Sequence, residues 1–204
     1  KSRLGRELVS RVAVTHPGAQ VVTVREYFAR FLKRCPDVQA LASASLDEVL
    51  GLWSGLGYYS RARNLHRCAQ AVMALHGGVF PRTAEVLKTL PGIGPSTAAA
   101  IASLCFEERV AILDGNVRRV LTRVLGYAED LSLGANEKQL WAHATAVLPL
   151  AAQDMPTYTQ GVMDLGATVC VRRKPLCGAC PLAAQCVAKA QGEPERYPVK
   201  TRKL

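Results

Sequence analysis

"LKTLPGIGPSTAAAIASL", residues 87–104, is the stretch whose reading decides the fold. Leu87 and Leu90 close an apolar helical pattern, Pro91-Gly92-Ile93-Gly94 interrupts it, and Pro95, suited to a first helical turn, opens a second helix of small residues. The pattern predicts two helices joined by a tight hairpin. Glycines at 92 and 94 permit positive φ, so that backbone amides can converge. Those amides and the second helix's N-terminus would hold a phosphate without reading a base. The plainer reading is a tight turn between packed helices, with Ala98, Ala99 and Ala100 as close-contact positions.

Outward from the hairpin, every periodic segment is helical. "SLDEVLGLW" opens with a capping box, Ser45 and Glu48, and sets Leu46, Val49, Leu50 and Trp53 on one face. After the "GLGYY" break a helix runs from about Ser60 to Leu75, with Leu65, Cys68, Ala69, Val72 and Met73 at helical spacing and Gly77-Gly78 as its stop. "DGNVRRVLTRVLG" buries Val117, Val120, Leu121 and Val124 and ends at Gly126, and "ANEKQLWAHATAVLP" and "TYTQGVMDLGATVC" follow. No alternating run reads as a strand, and no repeat appears. Only 126–136 and the polar tail 191–204 look like linkers. The fold class is all-α.

The chain of 204 residues is 49% hydrophobic, enough for one large or two small cores, and carries a net charge of +10. Such a balance favours a polyanion as partner, nucleic acid ahead of membrane. No signal-peptide h-region and no apolar run of transmembrane length is visible. Nothing suggests an oligomer, so a monomer is expected.

Seven cysteines are an odd number, and four of them fall in the last 35 residues as "CVRRKPLCGACPLAAQC". Cys170, Cys177, Cys180 and Cys186 are spaced by six, two and five residues. That argues for metal ligation in a reducing compartment over a disulfide scaffold. Four thiolates suit a tetrahedral zinc or a cubane iron–sulfur cluster, and ligand count does not separate the two. Cys35, Cys68 and Cys105 read as small buried hydrophobes. Asp114, after an apolar triplet and before a helix, reads as an N-cap whose ionised form is favoured there. In "LWSGLGYYSRARNLHRC" the break presents Tyr58 and Tyr59 beside Arg61 and Arg63; an aromatic wedge next to cations suits a protein that flips a base out of a duplex.

These motifs, in this order and spacing, resemble the catalytic domain of MutY-type adenine DNA glycosylases of the endonuclease III superfamily. The 6-2-5 cysteine spacing is that superfamily's cluster loop, "GLGYYSRARNLH" is closely similar to the adenine-specific branch, and Asp114 lies 18 residues after Ser96, as the family register demands. The resemblance extends back to about residue 20 and forward through "MDLGATVC" and "PVK". It implies a six-helix barrel domain over 20–126 carrying a helix-hairpin-helix at about 87–104, and a discontinuous cluster domain over 1–19 and 127–190 with a tail at 191–204. Double-stranded DNA bearing a mispaired or damaged base would lie in the cleft between the domains. It further implies a [4Fe-4S] cluster on the four cysteines, an intercalating Tyr58, DNA contacts from Arg61, Gly92, Gly94 and Ser96, phosphate contacts from Arg172, Arg173 and Lys174, and a location in the bacterial cytoplasm or nucleoid, or in a eukaryotic nucleus or mitochondrion.

The implied reaction is hydrolysis of the glycosidic bond of adenine opposite guanine or 8-oxoguanine, with Asp114 stabilising the cationic sugar and Asn116 assisting. Lyase members carry a lysine where Ser96 stands; a serine forms no Schiff base, so the chain is expected to be monofunctional. The family's general acid is a glutamate in a helix that "LVSRVAVTHPGAQVVTV", residues 8–24, should match. Aligned without gaps the position falls on Ala13, with a short insertion on Arg11, and Glu7 reaches it only after a six-residue slip. Pro17-Gly18 would end a helix there. Glu7 is the candidate acid, with His16 as another donor at mildly acidic pH. Two further readings are a catalytically silent, cluster-bearing DNA-binding protein and a mismatch-thymine glycosylase, which prefers an aromatic at the Ser96 position.

Overall fold

Local signals fix several helix ends. In the computed structural model, which describes residues 24–199, the Ser45 hydroxyl accepts from the Glu48 amide while the Glu48 carboxylate accepts from the Ser45 amide, the reciprocal cap read from the sequence. Residues 1–23, with Glu7, His16 and nearly all of the stretch 8–24, lie outside the described residues, as do 200–204. All described elements are helical. The chain divides into two compact units, Lys1–Val79 and Phe80–Leu204.

In the first unit, α1 (Val24–Arg34), α2 (Val38–Ser43), α3 (Leu46–Trp53) and α4 (Tyr59–His76) pack around Cys35, Leu41, Ala44, Val49, Ala62 and Ala69. Asp37 caps α2 through its Oδ1, 2.7 Å from the Ala40 amide, and Gly77 ends α4 in the left-handed region at φ 58. His66, buried in α4, places Nε2 2.9 Å from the Ala44 carbonyl and so ties α4 to the end of α2. The apolar stripes are narrower than their spacing suggests: Leu46 and Leu65 are exposed, while Val49 and Ala62 form the contact. Small residues bring α4 close to its neighbours, and the larger ones flank the seam.

In the second unit, α5 (Ala84–Leu87) leads through the hairpin to α6 (Pro95–Phe106), then α7 (Gly115–Leu125), α8 (Gly134–Ala146) and α9 (Met155–Asp164). The last continues as a π-helical turn, Leu165–Val169, into the cysteine loop, which ends at the short α10 (Val187–Ala190). The core joins Ile112, Leu113, Val117, Val120, Leu140 and Met155. At its centre the Ser103 hydroxyl lies 2.6 Å from that of Thr159, pairing two polar groups that burial would otherwise leave unsatisfied. Segment 126–136, linker-like by composition, is packed: Tyr127 is buried, and its hydroxyl donates to the Asn136 carbonyl at 2.9 Å. Beyond residue 190, Tyr197 is buried and the Val199 carbonyl accepts from the Leu131 amide. One cysteine departs from expectation, since Cys105 is exposed on α6 whereas Cys35 and Cys68 are buried.

Candidate functional site

Cys170, Cys177, Cys180 and Cys186 line one pocket, walled otherwise mainly by Val120, Val124, Leu165, Val169 and Leu176. Pro175 and Pro181 flank a 3-10 turn, Cys177–Ala179, and the loop wraps so that all four cysteines face one pocket. Burial pushes the Cys177 thiol above its ordinary range, and the Cys186, Cys170 and Cys180 sulfurs push it further, with Arg123 opposing. Protons must therefore leave when a metal centre binds. The walls supply no competing carboxylate or imidazole. Four soft sulfur donors lining one apolar pocket fit an iron–sulfur cluster.

Arg123 is the group that the sequence reading missed. It is 1% exposed, and no carboxylate among the described residues pairs with it. Its Nη1 donates to the Val171 carbonyl at 2.7 Å and reaches the Cys170 carbonyl and Sγ at 3.4 Å, and Nη2 donates to the Arg172 carbonyl at 3.0 Å. Nε has no partner. A buried guanidinium without a counter-anion is costly. Thiolates holding a cluster would supply that charge, with Cys170 Sγ 3.4 Å from Nη1, which is a second way the residues present fit the cluster. The available signal was a cation among the apolar positions of "VLTRVL", one helical turn from Val120. Arg119 works alongside, with Nε donating to the Cys170 carbonyl at 2.7 Å and Nη2 to the Asn116 Oδ1 at 2.9 Å.

The other end of α7 carries Asp114. Its Oδ1 accepts from the amides of Asn116 at 3.0 Å and Val117 at 2.8 Å, the N-cap read from the sequence. Both bonds use one oxygen, and Oδ2 is left for another partner on a half-buried carboxylate. Asn116 turns its side-chain oxygen to Arg119, so here it is a held residue of the first turn. Ser96, on the first turn of α6, accepts from the Leu113 amide at 3.3 Å, next to Asp114 in the chain. The hairpin helix and the Asp114 segment are thereby joined.

The hairpin itself divides the two glycines. Gly92 has φ 77 and needs to be glycine. Gly94 has φ −81 and is the N-cap of α6, which corrects the expectation of positive φ at both. A Cβ at Gly94 would meet nothing within 4 Å, so neither backbone nor packing requires a glycine there. What its absence leaves is a bare helix N-terminus open to solvent. Glu108 steadies the hairpin from behind, its carboxylate accepting from the Ala84 amide at 2.6 Å.

In the first unit, Tyr58 is 79% exposed and adopts φ 48, a left-handed conformation that costs a bulky residue energy. It precedes α4 without a side-chain cap, and the Arg61 guanidinium lies 5.5 Å from its ring. The turn before it is built tightly. Gly55 has φ 94 with Tyr27 Oη where a Cβ would stand, and the Trp53 indole donates to the Gly57 carbonyl at 3.0 Å. Tyr59 is less exposed, with its hydroxyl near the Gly55 amide. Arg172, Arg173 and Lys174 are all exposed at the rim of the cysteine loop; Lys174 has φ 50, and its amide donates to Glu195 at 2.9 Å. Among the described residues no helix is long and apolar enough to cross a membrane. Glu7, the proposed acid, lies outside them.

Comparison with known proteins places these features. Residues 14–144 match the HhH-GPD superfamily of base excision DNA repair proteins, and residues 170–186 match the iron–sulfur binding domain of endonuclease III. The chain is 41% identical over 177 residues to an adenine DNA glycosylase of Buchnera aphidicola subsp. Acyrthosiphon pisum, covering 87% of this chain and 50% of that protein. It is 45% identical over 178 residues to the adenine DNA glycosylase of Homo sapiens, covering 87% of this chain and 32% of the relative. The chain thus spans half or less of the length of these two relatives. Among solved structures, a thermostable thymine-DNA glycosylase superposes with a TM-score of 0.71 at 27% identity, covering 82% of this chain and 76% of that one. A non-covalent endonuclease III–DNA complex gives 0.66 at 19% identity over 93% and 97%, a likeness of fold.

Proposed function

The chain belongs to the HhH-GPD superfamily of base excision DNA repair proteins, and from that premise we propose that it is a monofunctional DNA glycosylase releasing adenine mispaired with guanine or 8-oxoguanine. Its cofactor is a [4Fe-4S] cluster, and we assign Cys170, Cys177, Cys180 and Cys186 as the ligands. When bound, the cluster supplies four metal–sulfur bonds that cross-link the loop. The family's division into a barrel domain over 20–126 and a cluster domain over 1–19 and 127–190 belongs to the same proposal.

The observation that carries the reading is Asp114. Cleavage of the glycosidic bond develops positive charge on the sugar, and an anion fixed nearby stabilises that charge most when it need not reorganise. Two amides hold Oδ1, and Oδ2 is left to face the sugar. Water is the nucleophile, because Ser96 offers no amine for a Schiff base. Tyr58 fills the gap left by the flipped adenine, with Arg61 beside it, and the strain at φ 48 accords with a residue kept for contact over stability. The N-terminus of α6 with Gly92, Gly94 and Ser96 holds one phosphate, and Arg172, Arg173 and Lys174 hold others. Departure of adenine requires protonation at N7, and Glu7 is the sole carboxylate between residues 1 and 25.

The test is incubation of the purified chain, in excess, with a duplex carrying one A:8-oxoG pair, followed by alkali. Strand scission at the adenine is expected. Retained binding without scission would favour the silent DNA-binding reading, and scission of a parallel T:G duplex alone would favour the mismatch-thymine reading.

A further inference from the structure

The segment "MDLGATVC", residues 163–170, leads from α9 into the cluster loop, and its glycine has no role in the chemistry above. There the helix widens: the Cys170 amide donates to the Leu165 carbonyl at 2.7 Å, a bond spanning five residues, and residues 165–169 form a π-helical turn. Such turns disturb helix packing and recur at functional positions. This one lies over the first turn of α7.

Gly166 is buried, and its φ is not in the left-handed region, so the backbone conformation does not call for glycine. Space does. A Cβ built on Gly166 would stand 2.7 Å from Asn116 Cβ and 3.0 Å from both the carbonyl carbon and the carbonyl oxygen of Asn116. Two of these three atoms are backbone, and no rotamer change clears them. Asn116 is also held from its other end: Arg119 Nη2 donates both to the Asn116 Oδ1 at 2.9 Å and to the Gly166 carbonyl at 2.6 Å. The Asn116 amide in turn is one of the two that fix Asp114.

We propose that Gly166 is a positioning residue for adenine excision: its missing side chain lets the segment before Cys170 close onto Asn116, and this contact sets the α7 first turn that aims the Asp114 carboxylate. The proposal rests on the reading of Asp114 given above. A methyl group at 166 has to gain about 0.7 Å from Asn116 to reach the 3.4 Å at which ordinary contact begins. A shift of that order at a charge-stabilising group is enough to slow chemistry by one to two orders of magnitude. DNA affinity, which resides in other residues, is not expected to change.

The test compares the full, iron-loaded chain with Gly166→Ala and with Ala167→Ser, an exposed neighbour in the same turn. One readout is amide hydrogen exchange on peptides spanning 113–118; the other is single-turnover release of adenine from an A:8-oxoG duplex. For Gly166→Ala, exchange at Asn116 and Val117 should quicken at least tenfold and excision slow at least tenfold, with iron content unchanged and duplex affinity within about twofold. Ala167→Ser should match the parent. A folded, iron-loaded Gly166→Ala with either readout within about twofold of the parent overturns the proposal. If Gly166→Ala does not accumulate folded, adding Asn116→Gly removes the nearest atom, at 2.7 Å, and leaves the two backbone atoms at 3.0 Å; partial recovery of folded protein supports the steric account, and no recovery at all refutes it. An inactive parent overturns the glycosylase reading on which the proposal rests, and the exchange comparison still decides whether Gly166 sets the Asp114 turn.

Discussion

Replacing Arg123 with methionine is the perturbation whose size follows most directly from the structure. Methionine keeps much of the aliphatic length, so little cavity opens, and the change isolates the guanidinium. Two short donations are lost, to the Val171 and Arg172 carbonyls, together with two longer contacts to Cys170. A buried acceptor stripped of its donor costs about 1–3 kcal/mol. The shorter bond, to the Val171 carbonyl, and the charge beside Cys170 dominate. Relief from burying the cation offsets some of the loss. The balance is about 2–4 kcal/mol, a large share of the 5–15 kcal/mol typical of a domain. For a unit of this size that lowers the melting temperature by roughly 10 °C. The assay is a thermal scan of the cluster-loaded protein, following the visible absorbance of the cluster and helical circular dichroism together. Arg123→Lys should fall between, because an ammonium keeps the charge and cannot fork to two carbonyls. Arg123→Met melting within about 2 °C of the parent, with full iron, would refute the reasoning.

Tyr58→Gly should raise stability by about 1 kcal/mol over Tyr58→Ala, because glycine accepts the left-handed backbone, while both variants lose adenine excision; equal melting of the two would contradict the strain. The Ser45 amide and then Arg34 hold the Glu48 carboxyl below its ordinary range, so its contribution is present above that range and lost as pH falls through the lowered value. An NMR titration of Glu48 should show the lowered midpoint, and a midpoint at or above the ordinary value would contradict it. Glu195→Gln keeps an acceptor for the Lys174 amide and Glu195→Ala does not, though both remove the charge. The glutamine variant should bind duplex DNA about fivefold more tightly than the alanine variant, and equal affinities would show that this bond does not shape the basic loop.

Much of this was legible in the letters because the signals were local. Helix caps at Ser45 and Asp114, Pro95 at a first turn, Gly126 at a helix end and the 6-2-5 cysteine spacing each act within a few residues, and the structure repeats them. What was not legible depends on contacts between distant segments. Periodicity put Leu46 and Leu65 on the apolar faces, but both are exposed and smaller residues near them take the contact. Arg123 is one of three arginines in α7, and only the Val171 and Arg172 carbonyls closing over it set it apart. Gly94 read as a conformational glycine, and its φ of −81 shows otherwise. Segment 126–136 is polar enough for a linker, yet Tyr127 and Leu131 anchor it to the core. Gly166 is required by Asn116, fifty residues away in the chain, which no local pattern encodes.

The central claim is that Asp114 performs chemistry and not only capping. The direct measurement is chromatographic detection of free adenine released from an A:8-oxoG duplex by the chain and by Asp114→Asn, with duplex affinity measured for both. Asparagine keeps an oxygen to cap the Asn116 and Val117 amides, so the account predicts a folded variant that binds the duplex as the parent does and releases adenine at least about a hundredfold more slowly. Equal release by the two proteins would contradict it.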